Sequence, residues 1–124
     1  MASCVGATGV LTALLDDWQQ AFNSHRPADV AALFSEDALF QGISPQLGRE
    51  PQEIIEYYSN VPPDATARAE VIAAVPLGDG IVHGFADVAF TAPGRDVHRV
   101  RLSIVAEQVA QKWLIRQYHA ATHQ

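Results

Sequence analysis

The chain reads as an α+β domain with helices on one face of an antiparallel sheet. Three observations predict this. Apolar residues recur with a helical period up to about residue 60; from Ala65 onward the period falls to two; and the turn signals "PLGDG" and "APGRD" cut the second half into hairpins.

Leu11, Leu14, Leu15, Trp18, Ala21 and Phe22 share one face of an amphipathic helix, which the run "NSHRP" stops. Pro27 suits the first turn of a second helix, because that position has no use for the N–H proline lacks. Val30, Leu33 and Phe34 form the expected buried stripe of this helix. "ALFQG" (38–42) reads as a short strand, followed by a loop, "ISPQLGRE". Pro51 opens a third helix, "PQEIIEYYSN", with Ile54, Ile55 and Tyr58 at core spacing and a stop at Pro62-Pro63. The strands that follow are "ATARAEVIAAV", "GIVHGFADVAFT", "VHRVRLSIVAE" and "KWLIRQYHA". The whole chain, 1–124, is one domain, with residues 1–8 expected as a loose tail.

A length of 124 residues with 48% hydrophobic content fits a single core that folds without staples. One cysteine, Cys4, permits no intrachain disulfide and no Cys/His metal cluster, which suits a reducing cytoplasm. The apolar run "CVGATGVLTALL" has no positive flank and meets Asp16 and Asp17, so neither a signal peptide nor a membrane helix is expected. A net charge of −6 repels phosphate backbones, and nucleic acid is not expected as a partner. No His/Asp/Glu cluster has ligand spacing, so neither a metal nor another cofactor is expected. Seven arginines beside one lysine, with abundant alanine, suggest a GC-rich bacterial source.

The order "AFNSH", "LFSEDALF", "LGRE", "RLSIV" and "KWLIRQYHA" resembles the nuclear-transport-factor-2-like superfamily, also called SnoaL-like or cystatin-like, and is most similar to its SgcJ/EcaC group. The resemblance covers nearly the whole chain. It implies a curved antiparallel sheet wrapped against about three N-terminal helices, a cone holding an apolar pocket, and homodimers built through the outer face of the sheet. It does not imply one reaction, since the same cone hosts enzymes and assembly domains.

Laid on the ketosteroid isomerase branch, Trp18 stands where that branch has a hydrogen-bonding tyrosine. Gly42 stands where it has the proton-moving carboxylate, and Ser103 where a protonated acid donates to the oxyanion. An indole only donates and glycine has no side chain, so isomerisation by that route is not expected. Against the limonene epoxide hydrolase branch, "IRQY" puts Gln117 in place of an acid, with Asp87 near the position of the other.

Strand parity makes His83, Phe85 and Asp87 one set that shares a face of its strand, and Arg99, Arg101 and Ser103 another such set on the next strand. With Ser103 placed toward the pocket by the resemblance, Asp87 is expected opposite Arg101 at its polar end. Asp87, His83 and Arg101 are thus the candidate catalytic residues. The candidate ligand-binding residues are Trp18, Phe22, Phe40, Tyr58, Phe85, Ser103, Gln117 and His119. Each has a plainer reading: Asp87 with Arg101 as a cross-strand brace, His83 as a satisfied strand histidine, the aromatics as core. The complementary set Val82, Val88, Phe90, Val100, Leu102 and Ile104 is then expected to cover a dimer interface. The expected function is binding, or conversion, of a small oxygenated hydrophobic molecule in specialised metabolism. A dimeric accessory domain with a vestigial cavity is the rival.

Overall fold

A computed structural model describes residues 6–42 and 47–122. Helix α1 spans Ala7–Asn23, α2 Pro27–Ala31 and α3 Pro51–Ser59; strand β1 spans Phe34–Gln41, β2 Thr66–Gly78, β3 Ile81–Thr91, β4 His98–Val109 and β5 Lys112–Thr122. Helix therefore starts inside the stretch expected as a tail. Residues 1–5 of that tail, with Cys4, and residues 43–46 of the loop lie outside the described residues.

The first helix buries the stripe its sequence spacing dictates: Leu11, Leu14, Leu15, Trp18 and Phe22. It ends where the Arg26 N–H reaches back to the Ala21 carbonyl (3.1 Å) across His25, whose φ of 57° is the left-handed turn that closes many helices. Pro27 then opens α2, as expected. Phe34 does not belong to that helix: α2 stops at Ala31 and Phe34 begins β1, opposite Ile115 of β5. In α3, Glu50 and Glu53 form a reciprocal capping box, and Ile54 and Tyr58 face inward.

Strand order is β1-β5-β4-β3-β2. The β2 to β5 meander is antiparallel, but β1 lies parallel to β5, so the sheet is mixed rather than wholly antiparallel. The physical reason is connectivity. No hairpin joins β1 to its neighbour, and the α3 crossover leaves it free to enter in either sense. Among the described residues, no helix is long and apolar enough to cross a membrane.

The core lies between α1 and one face of the sheet. That face carries Val82, Ala86 and Val88 of β3, Val100, Leu102, Ile104 and Ala106 of β4, and Ile115, Tyr118 and Ala120 of β5, all buried. Gly84 of β3 lets α1 come close: a Cβ there would run into the Ala73 carbonyl and the Leu11 side chain. The expected parity is therefore reversed. The set assigned to a dimer interface is the core, with Phe90 half-buried at its edge. The set assigned to the pocket, His83, Phe85, Asp87, Arg101 and Ser103, points to the opposite, outer face. The physical reason is period-two alternation, which carries the apolar row to the side covered by α1 and leaves the polar row, with Ser103, outside.

Gln117 and His119 also turn outward, and both are exposed. Their displacement has a local cause. Val105 pairs with Gln117 but Ala106 pairs with Ile115, so Arg116 is an extra residue in β5. This bulge shifts the inward side chains from the odd-numbered Ile115 to the even-numbered Tyr118 and Ala120.

Candidate binding site

An opening of about 210 Å³ lies between the end of α3 and the β3–β4 hairpin. Its inner walls are Phe22, Tyr57, Tyr58, Phe90, Tyr118 and Ala120, and its mouth is lined by Thr91, Arg95, Asp96 and His98. Apolar walls with a few converging polar groups are the usual make-up of a small-molecule site.

Each wall follows from its element. Phe22 is the last buried residue of the α1 stripe, and it stacks on Trp18 with ring centroids 5.3 Å apart. Tyr58 is one helical turn beyond Ile54. Tyr118 is delivered inward by the β5 bulge, and Phe90 closes the inner row of β3. The rings form one cluster: Phe90 lies 5.4 Å from Phe22, and Phe40 stacks on Tyr118 at 5.0 Å.

Polar atoms inside this cluster satisfy one another. The Trp18 indole Nε1–H donates to the Tyr58 hydroxyl at 3.0 Å, and the Tyr58 and Tyr118 hydroxyls are hydrogen-bonded together. Burial pushes both phenols well above their ordinary pKa of 10.0. At Tyr58 the hydrogen bonds from Trp18 and Tyr118 oppose that rise; at Tyr118 the neighbouring Tyr58 adds to it. Both groups therefore stay neutral at physiological pH and act as hydrogen-bond donors rather than bases. The three groups hold three donor protons. One is spent by the indole and one between the phenols, which leaves one phenolic proton to give to an oxygen brought into the cavity.

Of the residues singled out from sequence, Phe22 and Tyr58 line this cavity. Trp18 is fully buried behind it, and Phe40 instead faces an adjoining groove. Asp87 and Arg101 are indeed cross-strand partners, joined by a 2.5 Å hydrogen bond from Arg101 Nε. They lie on the outer face with side chains 43% and 39% exposed, away from the cavity. His83, Phe85, Ser103, Gln117 and His119 are likewise outside it. Sequence reasoning missed Tyr57, Tyr118 and His98. The first pairs with Tyr58 in "EYYS", the second needed knowledge of the bulge, and the third carried no signal beyond its place at a strand start.

Gly42 is buried with no side chain, and the Tyr57 ring occupies the space a Cβ would take. Among the described residues, no three His, Cys, Asp or Glu side chains converge as metal ligands.

This cone of helices on a curved sheet, open at one end, is the architecture of the SnoaL-like domain, and the family model of that domain matches residues 11–122. The chain belongs to the SnoaL-like domain family. Solved structures agree on the fold. A domain of unknown function with a cystatin-like fold from Nostoc punctiforme superposes with a TM-score of 0.84 at 16% identity, over 95% of this chain and 78% of that one. A ketosteroid isomerase-like protein from Erwinia carotovora atroseptica gives 0.80 at 16% identity, over 94% and 96%. A protein from Xanthomonas campestris described as a calcium/calmodulin-dependent protein kinase II association domain gives 0.78 at 21%, over 93% and 86%. No curated protein matches the chain.

Proposed function

We propose that this chain binds a small apolar molecule through a carbonyl or phenolic oxygen, with the Tyr58–Tyr118 pair as the oxygen-recognising group. The observation that carries this reading is the buried phenol pair, backed by the Trp18 N–H, in the wall of a cavity otherwise made of rings and alkyl groups. A ligand oxygen there meets a donor in a poorly solvated site, where leaving that donor unmet is costly. Steroid isomerisation by the usual arrangement is not part of the proposal. A glycine at position 42 cannot move a proton, and the two phenols are held neutral.

The test is calorimetric titration with acetophenone beside ethylbenzene, which differ chiefly in the carbonyl oxygen. One hydrogen bond worth ~0.5–1.5 kcal/mol makes the ketone about twofold to tenfold tighter, and the double variant Tyr58→Phe/Tyr118→Phe, which removes both phenolic protons, should erase that preference. Equal affinities in the native protein, or no binding of either compound, would contradict the proposal.

A second reading, a dimeric accessory domain, draws on the outer face of the sheet. Val75 and Phe85 are 54% and 50% exposed there, near half-buried Val105, and a second copy of the chain is the occupant this reading assigns to them. The two readings are compatible, because the cavity opens on the other side. A bacterial, cytoplasmic setting belongs with both.

A further inference from the structure

The inner cavity has a neighbour. On the far side of Tyr57 lies a groove of about 300 Å³, lined by Phe40, Leu47, Glu56 and Asn60 as well as by Tyr57 itself. Tyr57 is thus a shared wall. Its ring lies 5.0 Å from Phe40 and 5.1 Å from Tyr58, edge-on to both, which fixes it between the two spaces. Gly42 makes the position possible, because any Cβ at residue 42 would overlap the Tyr57 ring carbons and hydroxyl.

From this geometry we infer that the Tyr57–Gly42 pair sets the length of ligand the protein accepts. Tyr57 blocks the inner cavity from the outer groove and confines the ligand to one or two fused rings. An apolar cavity of about 150 Å³ holds a single benzene, and this one, at about 210 Å³, is only modestly larger, so the part of the ligand seated inside it is compact and any extension must pass Tyr57 or leave by the mouth. The inference rests on the reading of the cavity as the binding site. It deepens that reading, because it assigns the ligand class to compact ketones or phenols and names Tyr57 as the specificity-determining side chain. With a small side chain at 57, the two spaces join and a longer, linear aromatic ketone fits across them.

The experiment compares acetophenone with 4-acetylbiphenyl, the same ketone extended by one ring, on the native protein and on Tyr57→Ala. The native protein should favour acetophenone, and Tyr57→Ala should move the affinity ratio at least tenfold toward the longer ketone. An unchanged ratio, with acetophenone still bound, would overturn the wall and leave the binding reading standing. Failure of the native protein to bind either ketone would overturn both. Tyr57→Leu serves the same comparison if the alanine variant does not fold. A cycle of melting temperatures checks the steric half without any ligand. Gly42→Ala should lower the melting temperature when Tyr57 is present and lower it much less when residue 57 is small. Equal losses in the two backgrounds would show that the ring and the glycine are not a pair.

Discussion

Tyr58 and Tyr118 make the state of the cavity measurable through pH. Each is a neutral acid whose pKa is raised by folding from an ordinary 10.0. Below pH 10 the phenols are protonated in both folded and unfolded chains, so they contribute no pH dependence. Above it, the unfolded chain releases protons that the folded chain keeps, and stability falls as pH rises. The expected slope is about 1.4 kcal/mol per pH unit for each phenol. Alkaline denaturation followed by tyrosinate absorbance should show these two rings ionising together with unfolding, and Tyr118→Phe should roughly halve the slope. Gradual ionisation of both phenols in a still-folded protein would mean that they are not buried. At this scale the sequence was partly legible. Helical spacing identified Phe22 and Tyr58, and hairpin register paired Asp87 with Arg101. Nothing in the residues themselves marks Arg116 as extra, so regular alternation from Ile115 points Gln117 and His119 inward, where the bulge instead brings Tyr118.

The elements were more legible than the faces they present. Pro27 and Pro51 mark the starts of α2 and α3, and "PLGDG" and "APGRD" mark hairpin turns. Alternation in "IVHGFADVAF" and "RVRLSIVA" separated the apolar rows correctly. Parity alone did not say which row meets the helix, although the plain rule that the more apolar row is covered would have sufficed. The turn between β4 and β5 carried no signal at all, because it uses Ala110 and Gln111 at φ of 53° and 68° where glycine or asparagine is favoured. That mismatch predicts a gain. Replacing Ala110-Gln111 by Asn-Gly should raise stability by about 1 kcal/mol, read as a higher urea midpoint with an unchanged slope. An unmoved midpoint would show that the turn carries no strain.

For the whole molecule, the SnoaL-like cone is kept, and beside Gly42 the Tyr57 ring fills the space a side chain would need. The outer face is the other large-scale feature. We expect twice the chain mass by light scattering at micromolar concentration, and Phe85→Glu should return a monomer. A native monomer would remove the dimeric reading without touching the cavity.

The central claim, that the Tyr58–Tyr118 pair gives its one spare proton to a ligand oxygen, is tested most directly by the carbonyl stretching frequency of bound acetophenone, labelled with carbon-13 to separate it from the protein's amides. A donor on the oxygen weakens the C=O bond, so the band should move to lower frequency than in hydrocarbon solvent. That shift should disappear in the double variant Tyr58→Phe/Tyr118→Phe and persist in Arg101→Met, whose side chain lies on the outer face. A bound ketone whose carbonyl band sits at its hydrocarbon-solvent frequency would contradict the account.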